Sequence, residues 1–152
     1  MRVLELVRPL LQGAGGWRPG HPVMVEYFDR YLKCPLSVRL ACECIAALSK
    51  AIGSAQQTQM SLVSEPRRSN PRFGDKRPWQ VSRDWRSDDD RAEVTEAVAA
   101  KLGLKGSLTL KRDRHAREVV LTFADSAPVT LVFDQGFGSW PGTRMHKTRL
   151  RS

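Results

Sequence analysis

The stretch SLTLKRDRHAREVVLTFADSAPVTLVFDQGFGSW, residues 107–140, decides the fold. Residues 107–111 read as a short strand, 117–123 (REVVLTF) as a second and 129–133 (VTLVF) as a third, with a turn over 124–128. Valine, threonine and phenylalanine dominate these runs, as a half-buried sheet favours. A polar cluster at 111–117 separates the first two strands, and Asp134-Gln135-Gly136-Phe137-Gly138 follows the third. If the strands are neighbours, the two polar segments meet at one edge of the sheet. That edge is the expected place for a site.

Upstream, 22–28 (PVMVEYF) reads as a strand that runs straight into Asp29-Arg30-Tyr31. A helix is expected over 36–52. Leu36, Leu40, Cys44, Leu48 and Ile52 form an i,i+4 ladder, and Ala41, Ile45 and Ala47 widen the buried face. Pro35 suits the first turn and Gly53 the stop. A second strand is expected over 58–64. The composition then shifts over 65–87 to an irregular, basic, aromatic-bearing loop punctuated by Pro66, Pro71 and Pro78. Ser87 and Asp88-Asp89-Asp90 supply N-capping groups for a helix over 91–102, with Val94, Val98 and Leu102 on one side. Gly103 and Gly106 mark its end. A short helix is expected over 2–12, a glycine-rich loop over 13–20 and a flexible basic tail over 141–152. The sum is one α/β or α+β domain over 1–152, with a mixed sheet of about five strands and two to three packed helices.

The chain has 152 residues, enough for one domain with a real core, and 41% of them are hydrophobic. Lysine and arginine number 25 against 16 acids, a formal charge of +9. Such a balance favours anionic partners: DNA or another nucleic acid, or an acidic partner protein within a larger complex. The three cysteines, Cys34, Cys42 and Cys44, make no disulfide framework and read as small core side chains in a reducing compartment. They form no zinc knuckle, so no metal is expected. No cofactor is expected either. Residues 13–20 carry neither GxGxxG nor a Walker A ending. No run approaches the roughly 18 apolar residues of a membrane helix. With no signal cleavage pattern at the start, a cytoplasmic protein without a membrane partner is expected.

Several residues are candidates for chemistry. His115 and Arg117 form His-x-Arg at the mouth of a strand, where the imidazole could attack phosphorus or move a proton and Arg117 could clamp a phosphate oxygen. Arg112 and Arg114 deepen the positive field there, and Asp113 could orient the imidazole. Asp29 is expected to accept from backbone amides of its turn or to pair with Arg117 or Arg30. Asp134, Phe137 and Trp140 belong to the glycine turn, whose aromatics either pack on the core or present a stacking surface. Arg67, Arg68, Arg72 and Arg77, with Trp79 and Trp85, give 65–87 the composition of a single-strand or partner-binding surface. Arg144 and Lys147 add charge in the tail. Asp29 and Asp134 lack the third clustered acid that a divalent metal would need.

YFDRYLKCPLSVRLACECI, then DRHAREVVLTF and LVFDQGFGSW, resemble the phospholipase D-like domain first described at the C-terminus of MIT-domain proteins, which has relatives in prokaryotic phage-defence proteins. Asp29-Arg30-Tyr31 matches that family's segment after the first strand, and His115, Arg117 and Glu118 match its histidine–arginine segment in kind. Asp134, Gly136 and Gly138 match its glycine–aspartate turn loosely. The resemblance implies half of a phospholipase D fold over roughly 22–140, used for binding rather than hydrolysis. The phosphodiesterase His-x-Lys is His-x-Arg here, and only His21 and His146 remain as further histidines. A non-catalytic module of a nucleic-acid-associated, antiviral defence complex is the leading expectation. The alternatives are a phosphodiesterase or nuclease using His115, with a homodimer supplying a second histidine, and a purely structural assembly subunit.

Overall fold

The computed structural model describes residues 22–51, 58–67, 85–112, 117–124, 127–133 and 148–151. In chain order these form β1 (Pro22–Phe28), α1 (Pro35–Ala51), β2 (Gln59–Ser64), α2 (Asp88–Lys101), β3 (Lys105–Leu110), β4 (Arg117–Phe123), β5 (Val129–Phe133) and β6 (Thr148–Arg151). The helix expected over 2–12, the loop over 13–20 and most of 65–87 lie outside the described residues.

The strands make one mixed sheet in the order β3-β2-β1-β4-β5-β6. β1, β2 and β3 run parallel, whereas β4, β5 and β6 are each antiparallel to the strand before them in the sheet. The expected α+β architecture holds, with two helices. The expected count of about five strands rises to six, because Thr148–Arg151, within the segment read as a flexible tail, pairs with β5. Both parallel connections step the same way across the sheet, and right-handed crossovers therefore put α1 and α2 on one face. There the two helices pack on each other. Val25, Tyr27, Met60, Leu62, Val119, Leu121, Leu131 and Phe133 alternate along their strands to form the sheet's side of the core.

α1 buries Ala41, Ile45 and Leu48 of its expected face but leaves Leu36 outside, whereas α2 turns inward a face next to the expected one. In α1 the buried residues are Val38, Ala41, Cys42, Ile45, Leu48 and Ser49, and Leu36 is 55% exposed. In α2 they are Arg91, Thr95 and Ala99, with Val94 and Val98 only half-buried against the core and Leu102 exposed. For α2 the reason lies in β3. A Cβ on Gly106 would stand 2.3 Å from the Ala99 Cβ, so helix and strand touch almost backbone to backbone, and only small residues fit between them. Gly106, expected to end the helix, is thus a strand residue that permits close approach. The turn itself is made by Gly103 at φ +74.

One rim of the sheet collects the chain ends that matter. The carboxyl ends of β1, β2 and β3 meet the start of β4, the end of β5 and the start of β6, as the pairs Ser64–Leu110, Phe28–Glu118, Arg117–Phe133 and Phe133–Thr148 require.

Candidate functional site

Asp29 leaves β1 at this rim and is 4% exposed. Its backbone is fixed from β2: the Asp29 N–H donates to the Val63 carbonyl at 3.0 Å, and Ser64 Oγ donates to the Asp29 carbonyl at 2.7 Å. Its carboxylate accepts from Tyr27 Oη at 2.8 Å and from the Tyr31 backbone N–H at 2.8 Å, and Arg117 Nε stands 3.7 Å from Oδ1. Both alternatives expected for Asp29, a turn amide and Arg117, are therefore realised together. A carboxylate so engaged positions its neighbours and is a poor candidate for contacting a ligand.

Tyr31 is 37% exposed, and its ring gathers three cations. The Arg30 guanidinium carbon lies 4.5 Å from the ring centre, Lys33 Nζ 4.8 Å and the Arg117 guanidinium carbon 5.0 Å. Arg30 also donates to the Tyr31 hydroxyl at 2.6 Å. Each cation gains from the ring's negative face, which offsets part of their mutual repulsion. Four residues after Tyr31 α1 begins, with no acid in its first turn, so its N-terminal dipole adds to the positive field. The start of α2 differs: Ser87 caps it by accepting from the Asp90 N–H, and Asp88, Asp89 and Asp90 fill its first turn.

A small open depression adjoins the cluster, lined by Phe28, Asp29, Arg30, Ser64, Glu65 and Lys111. Lys111 is tied to β2 through its backbone N–H, which donates to the Ser64 carbonyl, and its ammonium sits 5.1 Å from the centre of the Phe28 ring. Arg112 follows it, exposed.

Arg91 was missed in the sequence. The residue is 3% exposed; its guanidinium donates to the Glu65 carbonyl at 2.9 Å and lies 3.8 Å from Asp88, whereas Nε and Nη2 have no hydrogen-bond partner among the described residues. Burial pushes its pKa down from the ordinary value, against the pull of Asp88 and Asp29. The available signal was its i,i+4,i+8 register with Thr95 and Ala99.

The other expected site residues divide. Arg67 is engaged at the start of α2: its N–H donates to the Asp88 carboxylate and its guanidinium to the Arg86 carbonyl. Trp85 corrects the sequence reading. It is 3% exposed and its indole N–H donates to the Leu32 carbonyl at 3.0 Å, so it anchors the core and presents no stacking face. His115, Arg68, Arg72, Arg77, Trp79, Arg114, Asp134, Phe137, Trp140, Arg144 and Lys147 lie outside the described residues. Among the described residues no group of histidine, cysteine and acidic side chains could hold a metal ion, and no helix is long and apolar enough to cross a membrane. Cys42 is buried and Cys34 and Cys44 are partly so, all as free thiols.

The family model for the C-terminal domain of the DEAD/DEAH box helicase YjiV matches residues 3–150. The chain belongs to that helicase C-terminal domain family. The match runs through every described strand and both helices, so the Tyr31 cluster sits within the family's own domain. Neither the curated proteins nor the solved structures yield a match.

Proposed function

We propose that this helicase-family domain is a non-catalytic binding module that contacts DNA or another nucleic acid as part of a larger complex. The observation that carries the reading is the convergence of Arg30, Lys33 and Arg117 on Tyr31 at the carboxyl ends of parallel strands. Open α/β sheets bind ligands at such ends, and concentrated positive charge is the electrostatic footprint of a phosphate-binding surface. The family's name ties the domain to a helicase, and the formal charge of +9 acts in the same direction. The half-phospholipase-D resemblance, a cytoplasmic setting and a place in antiviral defence belong to the same proposal. Fluorescence anisotropy with single-stranded and duplex DNA across a salt series tests it. Binding should weaken steeply with salt and fall in Lys33→Ala and Arg30→Ala. Salt-insensitive or absent binding, with no loss in the variants, would leave a structural assembly subunit as the better reading.

A phosphodiesterase reading has one observation in its favour. Arg117, two residues along from His115, stands beside Asp29 at this rim. Metal-independent cleavage of a phosphodiester substrate, abolished by His115→Ala and dependent on a homodimer, would establish it. An inert protein would remove it.

A further inference from the structure

We infer that the Tyr31 cluster recognises a strand-terminal phosphomonoester on a nucleic acid, in preference to internal phosphodiesters. The inference rests on the nucleic-acid reading above and narrows its ligand.

The first ground is shape. Arg30, Lys33 and Arg117 each lie within 5.0 Å of the centre of one ring. Any two of them are thus closer than about 10 Å, the screening length at ordinary salt. A surface that tracks a backbone spreads its cations along successive phosphates. Here three converge on a point instead, and a point suits a compact anion.

The second ground is charge. The described carboxylates beside the cluster are Asp29, which is buried and already accepts from Tyr27 and Tyr31, and Glu65, which lines the adjoining depression with Arg30 and Lys111. With Asp29 and Glu65 set against Arg30, Lys33, Arg117 and Lys111, positive charge remains in excess. An internal phosphodiester brings a single negative charge, whereas a terminal phosphate brings about −1.5 to −2 at neutral pH and three strong acceptor oxygens. The repulsion among the cations is relieved in proportion to the charge of the ligand.

The third ground is access to the ring. Arg30, Lys33 and Arg117 lie over Tyr31, and Arg30 also bonds its hydroxyl. A base stacking on Tyr31 would have to displace a cation, so the ring serves as a scaffold for charge rather than as a base platform. The acid-free start of α1 nearby adds to the field an anion would meet.

The experiment compares one labelled oligonucleotide with a 5′-phosphate, with a 3′-phosphate, with hydroxyls at both ends, and as a closed circle. At least one phosphorylated end should bind tenfold or more tightly than the hydroxyl form and the circle, and inorganic phosphate should compete. Lys33→Ala and Arg30→Ala should erase the preference, and Tyr31→Phe should reduce it several-fold by freeing Arg30. Equal binding of all four forms would overturn the inference and leave nucleic-acid binding standing. No binding of any form would overturn both. Preference for a phosphopeptide over every oligonucleotide would assign the site to another class of macromolecule and overturn the inference. A preference that survives Lys33→Ala and Arg30→Ala would place the recognition elsewhere.

Discussion

Arg117 Nε lies 3.7 Å from Asp29 Oδ1 across the junction where the sheet changes from parallel to antiparallel. The contact joins the end of β1 to the start of β4 and presents the Arg117 guanidinium to the Tyr31 ring. Asp29 is therefore the post on which the basic cluster hangs. Asp29→Asn keeps a carbonyl acceptor but removes the charge. It should destabilise the fold by about 1.5–3 kcal/mol, the worth of hydrogen bonds to a charged group. Urea denaturation would read this as a lower midpoint at an unchanged slope.

Trp85 should matter for stability and not for binding. Trp85→Ala empties a core site and should cost about 3–5 kcal/mol. Trp85→Phe keeps most of the volume but loses the donor to the Leu32 carbonyl, about 1 kcal/mol. Nucleic-acid affinity of the folded Phe variant should match the wild type.

The contact between Gly106 and Ala99 makes a paired prediction. Gly106→Ala should cost about 1–3 kcal/mol, because its Cβ would fall 2.3 Å from that of Ala99. Met60 Cε, at 2.9 Å, ends a flexible side chain and can move aside. Adding Ala99→Gly opens the space at its own helix cost of about 0.5–1 kcal/mol. The double variant should be more stable than the sum of the singles, which a double-mutant cycle measures directly.

The buried thiols set an alkaline limb. Burial pushes Cys42 up to about 12 and Cys44 up to about 11, from an ordinary 9.0. The folded state thus holds protons that the unfolded chain gives up near pH 9. The stabilisation is complete below about pH 9 and is lost as pH rises towards 11 to 12. Cys42→Ala should flatten the fall of melting temperature across that range, and the native thiol should resist alkylation at pH 8.

Much of the fold was legible because β1, β2, β4 and β5 alternate or run apolar between clear breaks. The inward faces of the helices were legible only in part. α1 carries apolar residues almost all round, so periodicity found Ala41, Ile45 and Leu48 but also put Leu36 inside and passed over Val38 and Cys42. In α2 the choice was made by a neighbour, since the smallness of Gly106 admits Thr95 and Ala99 and leaves Leu102 outside. β6, with the sequence TRLR, has no apolar pattern of its own and is selected by the open edge of β5. The pairing of Asp29 with Arg117 was legible because both stand at strand ends. Trp85 was misread because composition places a tryptophan among arginines on the surface, while its ring is buried in the core and its indole N–H reaches the Leu32 carbonyl.

The central claim is that the rim around Tyr31 binds nucleic-acid phosphate. The most direct measurement is the salt dependence of DNA affinity for the wild type and for Arg30→Ala/Lys33→Ala, with thermal melts to show that both fold. The account predicts weaker binding by the variant and a log–log salt slope shallower by about 0.7–0.9 for each phosphate contact removed. Identical affinity and slope in the two folded proteins would contradict it.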